Sequence, residues 1–119
     1  MSEHERRIDY LEFPASDIAA TKRFYTQVFG WKFTDYGPEY TSFHDGRLSG
    51  GFWHSAQVAA PGSGVLVVIY ARDLHALSDA VAAAGGAVTR EPFEFPGGRR
   101  FEFTDPSGNR LAVWSDQPA

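Results

Sequence analysis

The chain has no cysteine, which excludes disulfides, thiolate metal sites and a cysteine nucleophile. It has no basic run longer than Arg99-Arg100. With a net charge of −4 and a pI near 5.5, it lacks the electrostatic footprint of a nucleic-acid partner. No stretch approaches the roughly 18 apolar residues needed to cross a bilayer, so no membrane partner is expected. The opening "MSEHERR" is polar with no apolar run behind it, and a cytoplasmic protein is the expectation. Low-complexity and charge blocks are also missing. Its 119 residues suit one domain, long enough to bury a core without staples. What the chain does hold is rings: ten Phe, five Tyr and three Trp. Such an excess serves either a Phe-rich core or the wall of a concave ligand site.

The sequence repeats at an offset of 56 residues. "YLEFPASDIAATKRFYTQVFGWKF" (10–33) lies over "LVVIYARDLHALSDAVAAAGGAVT" (66–89), aligning Asp17 with Asp73, Ile18 with Leu74 and Gly30 with Gly86. Each half reads as a strand, an Asp or Ser at a helix N-terminus, an amphipathic helix, and Gly at its end. Ile18, Thr21, Phe24/Tyr25 and Val28 form one buried stripe; Leu74, Leu77, Ala80/Val81 and Ala84 form the other. Three short strand-like runs follow each helix: "WKFTDY", "EYTSFH" and "LSGGFWH", then "AVTREPF", "RRFEFT" and "RLAVWS". "HDGR" predicts a tight hairpin pairing His44 with Arg47, and "DPSGN" is its longer counterpart. "SAQVAAPGSG" (55–64) reads as a linker between modules of about 7–55 and 65–115.

Tandem βαβββ modules, the run "DIAATKRFYTQVFGW" after the first strand and "DPSGNRLAVW" near the C-terminus resemble the vicinal oxygen chelate superfamily. That group contains glyoxalases, bleomycin-resistance proteins and extradiol dioxygenases. The resemblance spans roughly 8–115 and implies a single α+β domain over 1–119. Each module then curls its sheet into a half-barrel around a cavity, with helices outside. It also implies a homodimer that shares cavity walls between chains.

Strand alternation sorts the side chains. Leu11, Phe13, Phe43, Leu48, Val67, Ile69, Phe101, Phe103, Leu111 and Val113 form the helix-facing set. The opposite set includes Tyr10, Glu12, Ser42, His44, Ser49, Trp53, Val68, Tyr70, Arg100, Glu102, Arg110, Ala112 and Trp114. From it, Tyr10, Glu12, Trp53, Tyr70, Arg100, Glu102 and Trp114 are the candidate ligand-binding residues. Trp53, Tyr70, Trp114 and Tyr10 offer ring faces for stacking. Glu12 is either a ligand anchor or general base, or else an ion-pair partner of Arg100 or Arg110 or a residue at the barrel mouth. Glu102 raises the same choice. Arg100 and Arg110 suit a carboxylate or a surface salt bridge. "EFPGGRR" (94–100) reads as a mobile loop or a long hairpin turn.

In the family's metal enzymes, one ligand precedes the helix-starting Asp by seven residues and another follows the "GN" turn Asn by three. Carried onto this chain, those places are Tyr10 and Leu66, then Ala112 and, by hairpin analogy, Ser49. A divalent ion needs several imidazole or carboxylate ligands, which this set does not supply. No metal, cofactor or catalytic residue is therefore assigned. The leading expectation is a metal-free protein that binds a small apolar or aromatic ligand. The alternatives are a metal-dependent lyase or isomerase using Glu12, His44 and Glu102, and a metal-independent enzyme with Glu12 as general base.

Overall fold

In the computed structural model, residues 5–57 and 64–117 are described; most of the expected linker, residues 58–63, lies outside them. Strand β1 (Tyr10–Ala15) leads into helix α1 (Ile18–Phe29), followed by β2 (Lys32–Asp35), β3 (Tyr40–His44) and β4 (Ser49–His54). The second module repeats this order with β5 (Val67–Tyr70), α2 (Leu74–Ala83), β6 (Ala87–Phe95), β7 (Gly98–Thr104) and β8 (Arg110–Ser115).

The helix starts follow from their caps. The Asp17 and Asp73 carboxylates accept from Ala20 N and Ala76 N, each at 3.0 Å, so each satisfies a first-turn N–H that has no helical partner. The ends differ between modules. Gly30 closes α1 at φ +73, but in the second module the positive φ (+100) falls on Gly85. Gly86, which the repeat aligns with Gly30, is small for another reason: a Cβ there would sit 2.9 Å from the Thr104 carbonyl.

Each module forms a four-stranded sheet, β1-β4-β3-β2 in the N-terminal one and β5-β8-β7-β6 in the C-terminal one. The first and last strands of each module run parallel because the connection passes through a helix. Leu11 pairs with Gly50 and Val67 with Leu111, which makes Gly51 the counterpart of Ala112 and Trp53 that of Trp114. The analogy that placed Ser49 opposite Ala112 is thus two residues off. Its source is the hairpin: Asp45 N bonds Leu48 O at 3.0 Å, and His44 pairs with Ser49 rather than Arg47. "EFPGGRR" is a tight turn at Pro96-Gly97 between paired strands, with Phe95 opposite Gly98.

Most of the helix-facing set forms the core or packs against it, Leu11 and Leu48 excepted. Phe52 is fully buried, 5.3 Å from the Phe13 ring, 5.2 Å from Tyr25 and 5.6 Å from Phe43. Trp31 stacks on Tyr25 at 4.6 Å and on Phe43 at 4.4 Å. Helix α1 also reaches the other sheet, since Phe24 and Phe29 each lie 6.0 Å from Phe103. The opposite sheet faces stay open: Tyr10, Trp53, Val68 and Tyr70 are each at least 40 % exposed.

The "DPSGN" turn joins the modules. Asp105 is buried and accepts from Ser107 N, Asn109 N and Tyr25 Oη at 2.9 Å, and from Asn109 Nδ2 at 3.0 Å. Asn109 Nδ2 also donates to Pro14 O at 2.8 Å, and Ser16 N donates to Ser107 Oγ at 2.9 Å. Burial pushes the Asp105 carboxyl above its ordinary range, against the hydrogen bonds from Asn109, Tyr25 and Ser107. Tyr25 is raised as well, first by burial and then by the Asp105 charge.

Candidate functional site

The candidate residues fall into three places. The first is a cavity of about 710 Å³ between the modules. Leu11, Phe13, Phe43 and Leu48 contribute from the N-terminal sheet, Phe29 and Trp31 from the end of α1, and Val67 to Tyr70 with Trp114 from the C-terminal sheet. Asp45 and Arg47 of the β3–β4 hairpin add the charged groups of the lining among the described residues. Of the predicted ligand-binding residues, Tyr70 and Trp114 are here. Their rings meet edge to face at 5.2 Å, and Phe95 lies 6.4 Å from Trp114. Tyr70 Oη donates to Asp116 Oδ1 at 2.7 Å, which raises the phenol and lowers the acid. Leu11, Phe13, Leu48, Val67 and Ile69 were expected to pack under helices. Phe13, Val67 and Ile69 do pack against the core and also border the cavity, whereas Leu11 and Leu48 line the cavity without joining the core; β1 and β5 are edge strands and Phe29 and Trp31 lie beside them.

The second place is the open face of the N-terminal sheet. Tyr40 Oη donates to Glu12 Oε2 at 2.9 Å, Tyr10 Oη lies 2.7 Å from Tyr40 Oη, and Ser42 Oγ donates to Gly50 O at 3.0 Å. Glu12 thus bonds a tyrosine, not Arg100 or Arg110. Gly51 sits beneath this group, and a Cβ there would collide with the Tyr40 hydroxyl and touch that of Tyr10. Tyr40 was absent from the candidate residues. The alternation that puts Ser42 and His44 on this face places Tyr40 with them, and Tyr40 pairs with Trp53. Tyr40 is raised by burial first, then by its bonds to Tyr10 and Glu12, so it remains a proton donor through the neutral range.

The third place is the matching face of the C-terminal sheet. Glu102, only 6 % exposed, accepts from Arg100 Nη2 at 3.1 Å and Arg110 Nη2 at 3.0 Å. Arg90 lies over the Phe93 ring at 3.6 Å and Arg100 at 5.5 Å. Burial pushes the Glu102 carboxyl up, but Arg110 and Arg100 outweigh it and the group is lowered overall. A lowered carboxyl contributes stability above its unfolded pKa, and that contribution is lost as pH falls through the folded value. Glu102→Gln should therefore cost about 2 kcal/mol at neutral pH, because two guanidinium groups lose a charged acceptor. The difference from the parent protein should shrink once pH drops below 4.5, as measured by urea unfolding.

These positions do not fit the family's metal. Tyr10 is a phenol already bonded to Tyr40, Gly51 and Ala112 carry no donor, and Leu66 is aliphatic. Glu12 and Glu102 lie on different sheets, and His44 Nδ1 accepts from Gly46 N at 3.1 Å. Among the described residues no three His, Asp or Glu side chains come together to hold an ion.

Comparison with known proteins agrees with the fold. The family model described as "Glyoxalase/Bleomycin resistance protein/Dioxygenase superfamily" matches residues 7–113. The anthracycline biosynthesis protein DauV of Streptomyces sp. (strain C5) is 34 % identical over 125 aligned residues, covering 88 % of this chain and 45 % of DauV. DnrV of Streptomyces peucetius matches with the same identity and coverage. The chain spans less than half the length of these relatives. The crystal structure of the fosfomycin resistance protein FosX from Mesorhizobium loti superposes with a TM-score of 0.78 at 18 % identity, covering 97 % of this chain and 93 % of FosX.

Proposed function

This chain belongs to the glyoxalase/bleomycin resistance protein/dioxygenase superfamily, and we propose that it binds a small planar aromatic molecule in the cavity between its modules, without a metal ion. The observation that carries this is the cavity itself. About 710 Å³ lies within the range of small-molecule sites, and most of its lining residues are apolar or aromatic. The Tyr70–Trp114 pair supplies the stacking edge, and Asp45 and Arg47 supply polar contacts. Relatives named for anthracycline biosynthesis support a polycyclic ligand. The lyase alternative is less supported, because among the described residues of one chain no three His, Asp or Glu side chains come together. A homodimer is part of the proposal: β1 and β5 each end a sheet with one unpaired edge among the described residues, and a second copy would cover them.

Quinizarin, a planar dihydroxyanthraquinone, is a suitable probe, followed by quenching of tryptophan fluorescence. Saturable binding with Kd on the order of micromolar is expected, unchanged by a chelator. Trp114→Ala should weaken it about tenfold, the loss of one stacking contact. Absence of saturation, or affinity that a chelator removes and a divalent ion restores, would refute the proposal.

A further inference from the structure

We propose that the ligand of the cavity between the modules carries an ionised acid group, which the Arg47 guanidinium holds at the β3–β4 hairpin. This rests on the aromatic ligand proposed above and adds the chemistry of its polar end. Asp45 and Arg47 are the charged residues of the lining among the described residues, and the hairpin uses them differently. Asp45 Oδ1 accepts from Arg47 N at 2.8 Å and from Leu48 N at 2.6 Å, so this carboxylate is engaged in closing its own turn. Two peptide N–H groups offset its charge there. Arg47 gives the turn only its backbone N–H. Its guanidinium makes no hydrogen bond and no ion pair among the described residues.

A permanent positive charge with a full set of N–H donors therefore borders an apolar space. Leu11, Phe43 and Leu48 of the same sheet line that space, and an acid entering it without a partner would lose its hydration uncompensated. A guanidinium offsets the loss through two parallel charge-assisted hydrogen bonds to a carboxylate, which an uncharged isostere cannot match. A cation finds no equivalent. Asp45 is occupied by its turn, and Tyr70 Oη donates its hydrogen to Asp116. Helix α1 ends at the cavity with its negative pole, but Gly30 N donates to Thr26 O at 3.0 Å and Trp31 N to Tyr25 O at 3.3 Å, which closes that end on itself.

The test compares anthraquinone-2-carboxylate with its uncharged carboxamide, beside quinizarin, by quenching of tryptophan fluorescence in the full chain at neutral pH and low salt. The carboxylate should bind about tenfold more tightly than the carboxamide. That advantage should shrink as salt is added, because Arg47 is exposed. Arg47→Gln keeps the backbone N–H of the turn and should bring the two affinities within about twofold of each other. Quinizarin affinity should stay the same in this variant, which reports an intact cavity. In an NMR titration the Arg47 Nε–H signal should move with the carboxylate and not with the carboxamide. Equal affinities of acid and amide in the parent protein, with quinizarin still bound, would overturn the proposal and leave the aromatic ligand standing. A preference for the acid that survives in Arg47→Gln would overturn it too. If none of the three compounds binds, both readings fall together.

Discussion

Asp105→Ala should lower the free energy of unfolding by about 4 kcal/mol and the thermal midpoint by roughly 15 °C. The carboxylate is the acceptor for two backbone N–H groups of its own turn, those of Ser107 and Asn109, for the Asn109 side-chain amide and for the Tyr25 hydroxyl. Tyr25 is fully buried, so its hydroxyl cannot turn to water once the carboxylate is gone. A buried donor left without a partner costs about 1–3 kcal/mol, and relaxation of the turn recovers part of the sum. Two modules also lose a tie, since Tyr25 belongs to the first and Asp105 to the second. Tyr25→Phe, which removes only the hydroxyl, should cost about 1 kcal/mol. Urea unfolding measures both, and an Asp105→Ala loss below about 1 kcal/mol would show that the turn is not the joint described here.

The raised carboxyl adds a signature. A group whose folded pKa lies above its unfolded value favours the folded state at low pH, and that contribution is lost as pH rises through the folded value. Asp105 thus opposes Glu102, whose lowered carboxyl contributes at higher pH. Comparing each variant with the parent protein separates the two slopes.

Phe52→Ala should cost about 4 kcal/mol, the usual range for emptying a buried aromatic site. Phe52 is where the first module's rings meet, against Phe13, Tyr25, Phe33 and Phe43. Neighbours that are themselves rigid rings in a packed cluster collapse poorly into the void. Chemical denaturation checks the value, and a loss below about 1 kcal/mol would mean that the cluster repacks freely.

Much of this architecture was legible from residue order. Asp17 and Asp73 announce the helices because few residues other than Asp, Asn, Ser and Thr satisfy an N-terminal N–H so well. Alternation separated Phe101 and Phe103 from Arg100 and Glu102, because a strand has only two faces. The site was less legible. Edge position and the end of α1 decide that Leu11 lines a cavity rather than packs under a helix, and neither is encoded locally. "DPSGN" reads only as a turn, yet Asp105 and Asn109 are buried in it, with partners Tyr25 and Pro14 that stand at least 80 positions away. Gly51 was displaced from its role by a hairpin two residues wider than its Asp-Gly suggests.

The most direct measurement is a methyl NMR map of quinizarin bound to the full chain. Occupation of the space between the modules should shift the methyl groups of Leu11, Leu48, Val67 and Ile69 together, saturating at one affinity with no divalent ion present. Methyl signals that stay in place while tryptophan fluorescence is quenched would put the molecule on an outer surface and contradict a ligand held between the modules.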